Sequence, residues 1–157
     1  MMTRLCAAMV SATLIGCASD SAIEKEARYR LVEDPAESAI PVAMQILTHL
    51  AAGEIDEAAR MSNAPARRRE VLNEFRARVG DQEFKRVYRE YLSPKNLVIA
   101  EVALGPRRLL VWRLGTAADQ VVGQYYVLVD GRFVMDDERS SERSELARAL
   151  ARYRSSK

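Results

Sequence analysis

The hydrophobic period changes once along this chain, at Ser93-Pro94, and that change constrains the fold more than any other feature. Before it, apolar residues recur at three- and four-residue spacing, which places them on one face of a helix. After it they alternate, which places them on one face of a strand. Pro41 suits a first helical turn, where its missing N–H costs nothing. Val42, Ile46, His49 and Leu50 then form a stripe, widened by Met44, Leu47 and Ala51, and Gly53 stops the helix. Further helices are expected over 55–61, which is short, 66–79 and 81–92, separated by Ser62-Asn63-Ala64-Pro65 and by Gly80.

Beyond Pro94 the alternation predicts strands over 97–104, 107–114, 120–129 and 132–136. In the first, Val98, Ala100, Val102 and Leu104 are expected on one face, with Glu101 among Leu97, Ile99 and Ala103 on the other. Gly105-Pro106 turns the chain, and Asp130-Gly131 is a two-residue hairpin signal. Gly123, inside a strand, is expected to mark a bulge or bend. Residues 141–153 close the chain with a helix whose stripe is Leu146, Ala149, Leu150 and Tyr153. Helices followed by an antiparallel meander of about four strands, then a C-terminal helix, make an α+β fold. The strands are apolar on both faces: Leu109 and Val111 lie opposite Leu110, Trp112 and Leu114. One face is therefore expected to pack on the helices, and the other to be covered by the last helix or used in association.

The first residues have a different logic. Arg4 precedes an uncharged apolar run from Leu5 to Ile15, the layout of a secretory signal. The run is shorter than the roughly 20 apolar residues that span a bilayer. It ends in Leu14-Ile15-Gly16-Cys17, which resembles the lipobox of bacterial lipoproteins. The resemblance implies cleavage after Gly16 and a diacylglycerol on the Cys17 sulfur. It also implies further acylation, such as palmitate, on the new N-terminus. Ala18 follows in place of the aspartate that retains such proteins at the inner membrane, so outer-membrane sorting facing the periplasm is implied. The expected division is a signal peptide over 1–16, a lipidated tether with a possible short helix over 17–35, and one domain over 36–157.

Removing residues 1–16 from 157 leaves 141, enough to bury a core without staples. The two cysteines are Cys6, in the leader, and Cys17, at the acylation site, so the domain carries no thiol for a disulfide, a nucleophile or a thiolate metal site. Net charge is +2, which argues against a nucleic-acid binder. The charge is unevenly spread: net −5 over residues 20–63 and net +4 over 64–95.

The order of elements is similar to that of the nuclear-transport-factor-two-like (NTF2-like) superfamily of α+β cones. The residues that carry the likeness are Leu50-Ala51-Ala52-Gly53-Glu54-Ile55-Asp56-Glu57-Ala58, the helices after them, and the closing hairpin around Asp130-Gly131. The resemblance implies a curved sheet wrapped on helices around a cavity. It does not choose a function, because enzymes, binding modules and dimerisation units share that fold.

Among chemical candidates, His49 is the chain's single histidine and has no partner nucleophile in the sequence. One histidine without thiols leaves too few ligands for zinc, so no metal or other cofactor is expected. Asp136-Asp137-Glu138 lacks the spacing of a calcium loop and reads as a solvated strand end. Glu101 interrupts an apolar strand, so it either faces a cavity or pairs with an arginine. Arg67, Arg68, Arg69, Arg76, Arg78, Lys85, Arg86 and Arg89 can meet anionic headgroups, but interleaved glutamates favour a solvated face. Trp112 and Tyr125, with Glu101, are the residues expected at a cavity or an interface. The resulting expectation is a non-enzymatic, membrane-anchored binding or assembly module that meets an envelope protein or a second copy of itself. The alternative is a small-cavity enzyme using Glu101 or His49 as acid or base.

Overall fold

The structure, a computed structural model, describes residues 29–115 and 120–155. Gly16 and Cys17 lie outside them. The fold is α+β, as the change of period requires. Helices α1 (Ile40–Ala52), α2 (Ile55–Arg60), α3 (Pro65–Val79) and α4 (Asp81–Tyr91) precede the sheet, and α5 (Ser141–Ser155) follows it. The sheet is an antiparallel meander of five strands in chain order: β1 (Arg30–Leu31), β2 (Leu97–Leu104), β3 (Arg107–Leu114), β4 (Gln120–Val129) and β5 (Arg132–Met135). None of the described helices is long and apolar enough to cross a membrane.

Local signals place most boundaries. Gly53, at φ 85°, ends α1 by turning left-handed. Its N–H bonds to the Leu50 carbonyl at 3.0 Å and the Glu54 N–H to the His49 carbonyl at 2.8 Å, the paired bonds of a Schellman cap. Asp130 and Gly131 both take positive φ, 48° and 76°, the geometry of a tight hairpin that matches strand twist.

The four N-terminal helices cover one face of the sheet. Ile46, Leu47 and Leu50 of α1, Leu72 of α3 and Phe84 of α4 pack there on Leu110, Trp112 and Tyr126. An aromatic chain links these layers, running Phe75, Phe84, Tyr88, Tyr91 and Trp112 with ring centroids 4.9–6.4 Å apart. The opposite face carries Val102, Leu104, Leu109, Val111 and Val121, and Leu146 and Leu150 of α5 pack on it. The second apolar face is therefore covered by the chain's own last helix.

Three sequence expectations change. The segment expected as a tether and short helix contributes β1, whose Arg30 and Leu31 pair with Ala103 and Val102, so the fold takes in residues before 36. Gly123 sits in regular register opposite Val111. It makes room for α5, since a Cβ there would lie 2.5 Å from Leu150 Cδ2. The sheet's irregularity falls instead between Val98 and Ala100 in β2. That bulge reverses the alternation. Val98 joins the helix-side core, while Ala100, Val102 and Leu104 face α5. Glu101, opposite Leu110, keeps its expected place on the other face from Ala100, Val102 and Leu104, which is the helix side.

Candidate functional site

Glu101 is 6% exposed and its carboxylate is fully engaged. Oε1 accepts the Ala39 N–H at 2.8 Å, and Oε2 accepts the Ser38 hydroxyl at 2.6 Å. The Ser38 Oγ in turn accepts the Ile40 N–H at 3.1 Å. Ala39 cannot cap a helix with its own side chain, so a strand carboxylate supplies the acceptor for the orphan donors at the start of α1. The negative charge also suits the positive end of the helix. Arg108 Nε stands 3.9 Å from Oε1. Burial pulls the Arg108 guanidinium below its usual value, Arg30 pushes the same way, and Glu101 and Glu37 oppose them. Glu101 borders a cleft of about 430 Å³ between the 35–38 turn and β2, but its oxygens are held by the protein.

The other expected site residues are scattered. Trp112 shares the helix-side face of the sheet with Glu101. Tyr125 belongs to the α5 side, where the Arg143 guanidinium stacks 4.9 Å from its ring centroid. His49 lies at the far end of α1 from Glu101, with Nδ1 2.6 Å from Glu54 Oε2. Ten helical residues at 1.5 Å each separate the two ends by roughly 15 Å. Glu101 and His49 therefore do not face one substrate.

Within the 136–138 run Glu138 is exposed, but Asp136 and Asp137 are not a solvated strand end. Asp136 is 2% exposed. It is paired with Arg107 of β3 and accepts from Asn63 Nδ2 at 2.8 Å. Asp137 binds Arg68 of α3 through both oxygens and accepts the Ser62 hydroxyl at 2.6 Å. With Met135 bonded to Met61 and Asn63 through the backbone, these carboxylates tie the helical layer to the end of the sheet. Half of the eight basic side chains on α3 and α4 pair with carboxylates: Arg68 with Asp137, Arg69 with Asp56, Lys85 with Asp81, and Arg86 with Glu83 and Glu90. This is the solvated, internally paired face that the interleaved glutamates imply.

A cleft of about 290 Å³ opens between α1, α4 and β4. β5 pairs with Tyr126–Val129 and leaves the first half of β4 as the sheet's edge there. Ile46, Leu47 and Leu50 give the cleft an apolar wall, Tyr88 and Tyr91 a second wall, and Gln124 a polar floor. Gln124 Oε1 accepts from Trp112 Nε1 and from the Tyr126 hydroxyl, both at 3.0 Å. Indole nitrogen only donates, so these bonds fix the oxygen and leave the amide N–H groups for the cleft. Burial raises the Tyr88 phenol, with Arg68 easing and Tyr91 adding to the effect, and burial alone raises Tyr91. Both phenols stay neutral at physiological pH and offer hydrogen bonds rather than charge. The arrangement is equipped to hold a small ligand, with an apolar wall and a few fixed polar groups.

The sequence reading did not single out Gln124 as part of this site. Its signal is a polar residue at an inward position of β4, between Val122 and Tyr126 on the same face. Arg68 and Arg143, which also line the cleft, carry no such local signal. Among the described residues no three His, Cys, Asp or Glu side chains group to hold a metal ion. Comparison of the chain with protein-family models, curated proteins and solved structures finds no match.

Proposed function

We propose that this chain is a bacterial envelope lipoprotein, anchored through acyl chains on Cys17, whose domain faces the periplasm and binds a small ligand without transforming it. The anchoring reading is supported by the Leu14-Ile15-Gly16-Cys17 tetrad behind an uncharged apolar run. Two or more acyl chains give stable membrane attachment where one does not. Ala18 supports outer-membrane sorting. The order of helices and meander supports an NTF2-like cone with its cavity between helices and sheet.

The observation that carries the binding reading is Gln124 at the floor of the tyrosine-walled cleft, its oxygen committed to Trp112 and Tyr126. Its N–H groups, which have no protein acceptor among the described residues, are fixed polar donors between an aliphatic wall and two tyrosines, beside Arg68, Asp136 and Arg143. The enzymatic alternative needs Glu101 or His49 to reach a substrate. Each already holds a protein partner, which favours binding over catalysis. A partner protein or a second copy, meeting the domain at its surface, is compatible with the same site.

Two measurements test the two halves of the reading. Intact mass of the protein extracted from native membranes should show a chain beginning at Cys17 with two or three acyl groups, and Cys17→Ala should release the domain to the soluble fraction. An unmodified chain cut elsewhere overturns the anchor. Trp112, the single tryptophan, reports on the cleft through Gln124. Its emission should shift when small amphipathic compounds are added and should respond less in Gln124→Leu. No response to any compound overturns the ligand reading.

A further inference from the structure

A second cleft, of about 410 Å³, adjoins the tyrosine-walled one, and both are lined by Tyr125 and Arg143. Arg67 of α3, Arg139 before α5 and Arg143 in the first turn of α5 border it, together with the Ser144 hydroxyl. No carboxylate lines it. Of the acids nearby, Asp136 pairs with Arg107 and Asp137 with Arg68, and Glu142 accepts the Ser141 hydroxyl.

The three guanidiniums keep most of their donors open. Arg67 gives one hydrogen bond, to the Asp137 carbonyl at 3.3 Å, and Arg143 gives one, to the Glu138 carbonyl at 3.2 Å. Arg139 has no hydrogen bond or ion pair among the described residues. Each guanidinium carries five N–H donors in a fixed fork. Stacking on Tyr125 holds Arg143 between the two clefts. A concavity lined by one sign of charge focuses its field and concentrates counter-ions. Planar guanidinium forks match the oxygen pairs of phosphate and carboxylate.

We propose that the two clefts form one site for a small amphipathic anion. Its phosphate or carboxylate head sits on Arg67, Arg139 and Arg143, and its apolar body lies against Tyr88 and Tyr91. The proposal rests on the reading of the tyrosine-walled cleft as a ligand site, and adds the charge and the orientation of the ligand. Arg143, on the border, sets the order: acid toward α5, apolar end toward α4. Gln124 then serves any polar group part-way along the body.

The test uses the full chain in a non-ionic detergent, read by Trp112 emission, with four probes: hexyl phosphate, hexanol, inorganic phosphate, and mixed micelles containing phosphatidylglycerol. Hexyl phosphate should bind about tenfold more tightly than hexanol or inorganic phosphate, because only it fills both clefts. Arg139→Gln and Arg143→Gln should each weaken hexyl phosphate about fivefold, and Arg139→Gln, which lies outside the tyrosine-walled cleft, should leave hexanol unchanged. Arg139 is exposed, so its loss leaves the fold intact, as circular dichroism will show. Competition by phosphatidylglycerol assigns the acid head to a lipid, and its absence assigns it to a free small molecule. Equal binding of hexanol and hexyl phosphate, or arginine variants that bind hexyl phosphate as the parent does, overturns the anion site while the cleft reading stands. Silence from all four probes removes both.

Discussion

Glu101 of β2 caps α1 across 62 residues of chain, its Oε1 accepting the Ala39 N–H at 2.8 Å. Its Oε2 takes the Ser38 hydroxyl, so one buried carboxylate joins the start of the helical layer to the sheet. Glu101→Ala leaves a buried N–H without an acceptor and Arg108 without its counter-charge. It should cost about 2–3 kcal/mol. Glu101→Gln keeps one acceptor and should cost roughly half as much. Urea unfolding measures both, and an Ala variant with an unchanged midpoint would show that the cap carries no weight.

Gly123 and Leu150 are a fitted pair. A Cβ on Gly123 would lie 2.5 Å from Leu150 Cδ2 and 2.9 Å from Leu109 Cδ1, both in the packed layer under α5. Gly123→Ala should destabilise by about 1–3 kcal/mol through overpacking. In a Leu150→Ala background the same substitution should cost less, because the closest clash is gone and only the 2.9 Å approach to Leu109 Cδ1 remains. A double-mutant cycle gives the coupling, and strict additivity would refute the close approach.

The two ends of the acidic run should behave differently. Asp136→Ala strands the largely buried Arg107 and should cost about 3–5 kcal/mol. Glu138→Ala, at an exposed side chain, should fall within about 0.5 kcal/mol of the parent. Comparable losses at both positions would argue against the buried pair.

Alkaline pH should unfold the protein through its buried phenols. Burial raises the Tyr126 pKa above its ordinary 10.0, and Tyr88, Tyr91 and Tyr125 move the same way. The unfolded chain then loses these protons first, so it holds fewer protons than the fold, and stability falls as pH rises. The contribution is intact below about pH 10 and declines above it. Tyr126→Phe loses the bond to Gln124 and should cost about 1 kcal/mol at neutral pH. The gap to the parent should narrow above pH ~10, since the variant has one phenol fewer to ionise. Circular dichroism followed with tyrosinate absorbance checks this; a gap constant with pH would place the Tyr126 ionisation outside the unfolding equilibrium.

The sequence by itself determined the element types, their order and most of their ends. Spacing of apolar residues is a local property of backbone geometry, so α1 and α3–α5, the four longer strands, the Gly53 cap and the Asp130-Gly131 hairpin could all be read from neighbours. β1 was missed because two residues carry no period, and its strand state exists only through pairing with Val102 and Ala103. The bulge between Val98 and Ala100 moved Val98 off the face it was expected to share with Ala100, Val102 and Leu104. Alternation assumes an unbroken pleat, and the bulge is visible only against the partner strand. Burial of Asp136, the separation of Trp112 and Tyr125 to opposite faces, and the meeting of Arg67, Arg139 and Arg143 were likewise decided by the tertiary structure. Charge pairs and cleft walls join residues as distant as Ser38 and Glu101, and which of many such pairings forms depends on how the layers pack, not on any local spacing.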